Sequence, residues 1–150
     1  IEAARAICLH CATSADEAEH EDAQEDREFA KRREELLTPI AKAWSTDVGV
    51  EVTSLGIQIH GGMGFIEETG AAQHYRDARI APIYEGTNGI QALDLVGRKL
   101  TMAGGAPIRE LLKDIRQTVE DCETSSNPDL PEIAERLADA ANALEQPPNG

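Results

Sequence analysis

Aromatic residues are scarce in this sequence, at 3% of its 150 residues, and no β-branched run reaches the length of a strand. Sheet proteins use both kinds of residue to pack their pleated faces, so a sheet fold is disfavoured. Alanine, leucine and glutamate recur throughout the chain instead, and these residues favour helices. The composition therefore predicts an all-α protein.

Basic residues are also few, with 14 lysines and arginines against 28 acidic residues and a formal net charge of -14. A surface of that charge repels a phosphate backbone, so nucleic acid is not expected as a partner. No apolar run approaches the roughly 20 residues that a membrane helix needs, and no charged-then-apolar leader opens the chain. We therefore expect no membrane insertion.

Cysteine occurs only as Cys8, Cys11 and Cys122, an odd number that cannot pair completely within one chain. A reducing compartment fits this best, and a cytoplasmic location is predicted. Cys8, His10 and Cys11 lack the spacing of a complete zinc site, so no metal is predicted. The first six residues already follow a helical pattern without an initiator methionine, which indicates a piece of a longer chain.

Helical periodicity divides the first part of the chain. An amphipathic helix is predicted from about Glu2 to about Glu21. Residues 24–33 have almost no apolar content, and we interpret them as a solvated connection or a charged helix end. Thr38 followed by Pro39 is typical of a helix start, because the hydroxyl can cap and proline fits the first turn. The apolar stripe of this helix consists of Leu37, Ile40, Trp44, Val48, Val52, Leu55 and Ile59.

The glycine-rich residues 61–64 are predicted to end this long helix. Thr69 is expected to cap a short helix that carries Tyr75, Arg76 and Arg79, and Pro82 to stop it. Thr87 is expected to cap the next helix. The apolar residues of that helix are expected to face inward, and they are Ile90, Leu93, Val96 and Leu100.

Two further amphipathic helices follow Gly104 and Gly105, separated by a linker at residues 125–131. Each has a single apolar face, so each must pack on the preceding bundle or on other sequence. We predict an up-and-down four-helix bundle over residues 1–103, followed by a short helical C-terminal appendage over residues 104–150.

Three short motifs stand in order between residues 58 and 87. Residues 58–65 read QIHGGMGF, residues 75–79 read YRDAR, and residues 83–87 read IYEGT. Together they strongly resemble the acyl-CoA dehydrogenases, and the resemblance covers about residues 1–103, the C-terminal four-helix domain of that family. The continuation NGIQALDLVGRKL over residues 88–100 is similar to a long-form subgroup that includes enzymes acting on 3-methylmercaptopropionyl-CoA.

The resemblance implies that Glu85 is the catalytic base that removes the α-proton of an acyl-CoA, with FAD as the hydride acceptor. Glu85 lies just ahead of a helix start at Thr87, where the positive end of the helix dipole favours an ionised carboxylate. An apolar acyl chain closing over it would strip water away and strengthen it as a base. Gly86 matches a substrate-binding position, where the missing side chain lets the thioester approach.

The family pattern also assigns cofactor-binding residues. The positions of Gln58, Gly61 and Gly62 touch the FAD of a neighbouring subunit in the family, which implies a homodimer or a tetramer built as two dimers. A plain helix C-cap is the alternative for the glycines. Thr87 matches a flavin-contacting threonine, a role compatible with capping, and Asn88 follows it in the same cofactor-binding segment.

The reaction implied is the α,β-dehydrogenation of an acyl-CoA, with an electron-transferring flavoprotein as the acceptor of the electrons. An acyl-CoA oxidase is the near alternative, and it differs in whether oxygen reaches the reduced flavin. A helical interaction module that kept the fold and lost the reaction is the second alternative. The 150 residues alone are expected to be inactive, since most flavin and CoA contacts in the family lie on two other domains.

Overall fold

The computed structural model describes residues 1–146, and no strand occurs among them. The all-α prediction is therefore confirmed. Two 3₁₀ turns, at Glu67–Thr69 and Met102–Gly105, and one π-helical turn at Leu95–Lys99 supplement the α-helices. The α-helices are α1 (Glu2–His20), α2 (Gln24–His60), α3 (Gly62–Phe65), α4 (Ala71–Ile80), α5 (Asn88–Asp94), α6 (Ala106–Glu123) and α7 (Leu130–Glu145).

The chain divides into two compact units, one spanning Ile1–Met102 and the other beginning at Ala103. The last four residues of the predicted appendage, 147–150, lie outside the described residues. In the first unit α2 is the common element, because α1, α4 and α5 all pack on it. None of the helices in residues 1–146 has the length and apolarity needed to cross a membrane.

Helices α1 and α2 pack antiparallel. The Sγ of Cys8 lies 3.5 Å from the hydroxyl of Ser45, and the Sγ of Cys11 lies 3.5 Å from that of Thr38, so the two helices run in opposite directions. The three-residue connection between the helices requires this arrangement. The residues buried in the first unit are mostly small, and they are Ser14, Ala30, Leu36, Leu37, Pro39, Ala41 and Ala72, with Gly64, Pro82 and Lys99.

The predicted helix start at Thr38 and Pro39 is wrong. Helix α2 begins at Gln24 and continues through Pro39, which lies inside it. The Thr38 hydroxyl donates to the carbonyl of Glu34 at 2.8 Å rather than capping a new helix. An internal proline costs about 3 kcal/mol. Packing of α1 along both sides of this point offsets that cost. Of the two interpretations of residues 24–33, the charged helix end is confirmed.

The predicted cap at Thr69 is also wrong. Helix α4 begins at Ala71 after Gly70, which is left-handed and offers no side chain. The Thr69 hydroxyl instead donates backwards to the carbonyl oxygens of Met63 at 2.5 Å and Ile66 at 3.3 Å. Glycine at residue 70 adopts the left-handed backbone without strain, so α4 begins there without a capping side chain.

The predicted inward face of α5 points outward. Ile90, Leu93 and Val96 are 56%, 68% and 65% exposed, and only Leu100, the fourth residue of that face, is half-buried. The face towards α2 is polar, and there the ammonium of Lys99 lies 3.1 Å from a carboxylate oxygen of Glu35. On the same helix, a hydrogen bond from Arg98 lowers the pKa of Asp94 below its usual value. The periodicity correctly located the helix but assigned the wrong side to the core.

The apolar stripe predicted for α2 is largely exposed, and even Trp44 in its first half is 44% exposed. Leu37 is buried, whereas Leu55 is 55% and Ile59 is 84% exposed. Phe65, just beyond the end of α2, is 80% exposed. Contiguous apolar surface of this kind marks an interaction face rather than a satisfied core.

Replacing Leu36 by alanine tests where the core of the first unit lies. Leu36 is 1% exposed and is the largest fully buried side chain among residues 1–146. Its truncation should lower the free energy of unfolding by roughly 2–5 kcal/mol, through lost apolar burial and a cavity. Leu55→Ala on the same helix is the control and should cost less than about 1 kcal/mol, since Leu55 already meets solvent. Urea unfolding of both variants measures this; equal losses would place the core elsewhere.

The second unit is a hairpin of α6 and α7. Leu112, Val119, Ala134 and Ala141 are buried where the two helices meet. Arg116 ties the far end of α7 to α6, donating to the carboxylate of Glu145 at 2.5 Å. Both predicted appendage helices are thus present in the described residues.

Candidate active site

The connection between α4 and α5 forms a tight, closed turn around Glu85. Both Glu85 and Gly86 have left-handed backbones, with φ of 54° and 89°. The backbone N–H of Asn88 closes the turn by donating to the carbonyl of Pro82 at 3.0 Å. A non-glycine residue in this conformation carries strain on the order of 1–3 kcal/mol, so the surroundings must hold it in place. Glu85 itself is exposed.

Lys42 of α2 holds this turn from the side. Its ammonium donates to the carbonyl oxygen of Gly86 at 2.6 Å and to the Oδ1 of Asn88 at 3.0 Å. The carbonyl of Glu85 accepts a longer bond from the Nε2 of Gln91, at 3.4 Å. The peptide units on both sides of Gly86 are therefore bound to other parts of the chain.

The Asn88 side chain is fully engaged with α2. Its Oδ1 accepts from the ammonium of Lys42 at 3.0 Å. Its Nδ2 donates to the carbonyl of Ala43 at 3.0 Å, to the Thr46 hydroxyl at 3.1 Å and to the carboxylate of Asp47 at 2.8 Å. These contacts take up both hydrogens of the amide nitrogen, and the ammonium occupies the amide oxygen. The Asn88 side chain therefore binds α2, and its role in cofactor binding stays a prediction.

The start of α5 is capped as predicted. The Thr87 hydroxyl accepts from the backbone N–H of Ile90 at 3.3 Å. A hydroxyl that accepts one bond still has its own hydrogen to donate. Thr87 can thus cap the helix and also offer a donor to a bound group.

The glycine-rich motif forms the end of α2. Gly61 has φ of 61°, and its N–H donates to the carbonyl of Gln58 at 3.1 Å, which ends the helix. Gln58, Gly61 and Gly62 are exposed. No atom lies within 4 Å of the place that a Cβ on Gly61 or Gly62 would occupy. The backbone at Gly61 and Gly62 is therefore accessible to another molecule.

Gly64, by contrast, is required by packing within the chain. A Cβ at this position would overlap the carbonyl oxygen of Ile57 and lie 2.8 Å from the Cβ of His60. We expect Gly64→Ala to lower the free energy of unfolding by about 1–3 kcal/mol, the usual cost of overpacking. Gly62→Ala has open space and should change it by less than about 1 kcal/mol. Thermal unfolding of the two variants decides this, and similar midpoints would contradict it.

The predicted site residues fall into two groups along α2. Glu85, Gly86, Thr87 and Asn88 are consecutive and are bound at the level of Lys42. Gln58 lies 16 residues further along α2, and a rise of 1.5 Å per residue separates it from Lys42 by about 24 Å. Within one chain, the two groups of predicted site residues are therefore far apart.

The role of Lys42 was not predicted, and neither was that of Thr46 or Asp47. These residues stand 41 to 46 positions before their partners at residues 86 and 88. No local periodicity links residues so far apart. Within residues 1–146, no group of three histidine, cysteine or acidic side chains is arranged to hold a metal ion, and all three cysteines are free thiols.

Comparison with known proteins shows the family of the chain. Residues 1–101 match the family model described as acyl-CoA dehydrogenase, C-terminal domain. The chain belongs to the acyl-CoA dehydrogenase family. The resemblance drawn from the three motifs is therefore confirmed.

Individual relatives extend this similarity into the second unit. The chain is 48% identical to 3-methylmercaptopropionyl-CoA dehydrogenase of Ruegeria pomeroyi over 143 residues, covering 95% of this chain and 24% of that protein. It is 34% identical to butyryl-CoA dehydrogenase of Syntrophomonas wolfei over 138 residues, covering 92% and 22%. It is 46% identical to the short-chain specific acyl-CoA dehydrogenase of Megasphaera elsdenii over 70 residues, covering 47% and 16%. The chain spans about a quarter of the length of the first two relatives.

Proposed function

We propose that the chain is the C-terminal helical part of an FAD-dependent acyl-CoA dehydrogenase, with residues 1–103 as the catalytic helical domain and the rest as a C-terminal extension. The observation that carries this is the turn at Glu85. An exposed carboxylate stands on a left-handed backbone just ahead of α5, and the carbonyl groups of Glu85 and Gly86 both accept hydrogen bonds. Fixed geometry is what a general base needs in order to meet one particular C–H bond.

Glu85 would take the α-proton of the thioester, and its carboxylate would become a carboxylic acid. The negative charge that develops on the thioester carbonyl oxygen needs a donor placed in advance. We assign the backbone N–H of Glu85 to that role. Gly86 supports this arrangement, because a Cβ there would lie 3.0 Å from the amide nitrogen of Gln91, which binds the carbonyl of Glu85.

The exposed surfaces fit a bound FAD at two places. Thr87 offers a hydroxyl donor beside the Glu85 turn. Gln58, Gly61 and Gly62 offer an open backbone and an exposed amide at the end of α2. When bound, FAD accepts the β-hydrogen as hydride, so that the loss of both hydrogens leaves a trans-enoyl thioester.

The distance between these two places supports a homo-oligomer. Positions separated by about 24 Å along α2 can serve the flavins of two different subunits. The exposed apolar residues of α2 and α5 also support an assembly, since each chain leaves them uncovered. We propose a homodimer, or a tetramer of two dimers.

The relatives suggest the substrate class and the setting. The two that cover most of the chain are named for 3-methylmercaptopropionyl-CoA and butyryl-CoA. We therefore propose a short acyl-CoA, with or without a thioether, as the substrate, and an electron-transferring flavoprotein as the electron acceptor. Three free thiols support a reducing, cytoplasmic compartment.

The proposal is tested with the full-length protein that carries this chain. We expect it to purify with a yellow flavin that bleaches when butyryl-CoA or 3-methylmercaptopropionyl-CoA is added without oxygen. Rapid reoxidation by air with release of peroxide would favour the oxidase instead. Absence of bound flavin would favour a non-catalytic helical module and contradict the proposal.

A further inference from the structure

Lys42 is a half-buried cation in the middle of α2, and sequence motifs assign it no role. Its ammonium spans two residues of the Glu85 turn, with donor distances of 2.6 Å to the carbonyl of Gly86 and 3.0 Å to the Oδ1 of Asn88. Hydrogen bonds from a charged donor are roughly twice as strong as neutral ones. The shorter of the two acts on the carbonyl of Gly86, the residue that directly follows the base.

The orientation of Asn88 is set by charges of opposite sign. Its Oδ1 faces the ammonium of Lys42, and its Nδ2 donates to the carboxylate of Asp47 at 2.8 Å. Exchanging the two ends of the amide would place its hydrogens against the cation and its oxygen against the anion. The amide is therefore held in one orientation, and it joins the turn to α2 at two successive helical levels.

The Glu85 turn needs such a support. Glu85 is exposed and left-handed, so neither burial nor backbone preference keeps it in place. Its own carbonyl accepts only a long bond, at 3.4 Å. The bonds from Lys42 and Asn88 are the short connections between this turn and the long helix α2.

We propose that Lys42, together with Asn88, is a positioning residue that fixes the Glu85 turn and thereby the direction of the base. The effect on chemistry rests on the proposed function, whereas the effect on the turn does not. Without the ammonium, the carbonyl of Gly86 loses its partner in α2, and the strained backbone can relax. Misplacement of a catalytic group by about 1 Å lowers rates roughly 100-fold.

The test compares Lys42→Met with Lys99→Met in the full-length flavoprotein. Lys99 is a matched control, because it is a buried lysine of the same unit. Its ammonium binds Glu35, which lies in α2 like Lys42, and it has no bond to the Glu85 turn. Hydrogen exchange of the peptide over residues 83–90 reports the turn without requiring activity. Flavin reduction at saturating acyl-CoA and the Kd of the acyl-CoA report the chemistry.

We expect Lys42→Met to speed exchange at the Asn88 amide at least about 10-fold, because the bond that closes the turn opens more often. The flavin reduction rate should fall about 10- to 100-fold, with the Kd of the acyl-CoA changed less than about threefold. Lys99→Met should lower the unfolding midpoint and leave the exchange and the reduction rate within about threefold. This separates positioning from general stability.

Asn88→Ala provides a second variant should Lys42→Met fold poorly, since it removes the other half of the support without placing a new side chain in the turn. It should speed the same exchange and slow reduction about 3- to 10-fold, because one half of the support remains. Unchanged exchange in both variants, or equal exchange in Lys99→Met, would overturn the proposal. If Glu85→Gln kept full flavin reduction, the proposed function would fail, and the exchange data alone would still decide whether Lys42 holds the turn.

Discussion

Flavin reduction by acyl-CoA is expected to fall at least about 10³-fold when Glu85 is replaced by glutamine in the full-length protein. Glutamine keeps the size and polarity of the side chain but cannot take a proton from carbon. The turn should survive, since Lys42 and Gln91 bond to the backbone around residue 85 and not to its side chain. Bound flavin should therefore remain. Stopped-flow absorbance of the flavin under anaerobic conditions measures the rate.

Glu68→Gln is the matched control for this experiment. Glu68 is also exposed and lies in the 3₁₀ turn before α4, away from the Glu85 turn in sequence. The same chemical change there should leave the reduction rate within about twofold, as for most surface substitutions. Bleaching that survives Glu85→Gln would remove Glu85 from the reaction, and equal losses in both variants would point to a general effect of charge.

Short-range patterns were sufficient to predict most helices of this fold. α1, α6 and α7 lie where periodicity placed them, and Thr87 caps α5 as its residue type indicated. The error at Pro39 arose because a capping signal was read without knowing what packs beside it. Packing of α1 along α2 outweighs the local preference for a break, and such tertiary effects cannot be read from a window of sequence.

The candidate site shows a similar division. Glu85 and Thr87 were located because their motif is continuous over a few residues. Lys42 was missed because its partners lie more than 40 positions away and its own surroundings in α2 are unremarkable in sequence. The outward face of α5 was missed for a different reason. Periodicity reveals an apolar face, but it does not say whether the same chain or another chain covers it.

These uncovered faces determine how the 150 residues should behave alone. Ile59, Phe65, Leu93 and Val96 are each more than 60% exposed. The first two lie at the end of α2 and in α3, and the last two lie in α5 and the π-helical turn that follows it. A monomer would keep this apolar surface in water, at a cost of about 25 cal/mol for each Å². An isolated chain can cover this apolar surface by self-association.

The isolated chain is therefore expected to be a folded helical oligomer that neither retains FAD nor oxidises acyl-CoA. On the proposed function, most flavin and CoA contacts belong to the rest of the full-length protein, since the chain spans only 24% of the length of the Ruegeria pomeroyi relative. Each tenfold in affinity requires only about 1.4 kcal/mol, and the loss of several contacts exceeds that easily. Gel filtration with flavin absorbance measures both properties, and Leu93→Glu should increase the monomer fraction by placing a charge on the exposed face. A wild-type monomer would show that these faces do not need a partner. A stoichiometric yellow chromophore on the isolated chain would show that its flavin site is more complete than proposed.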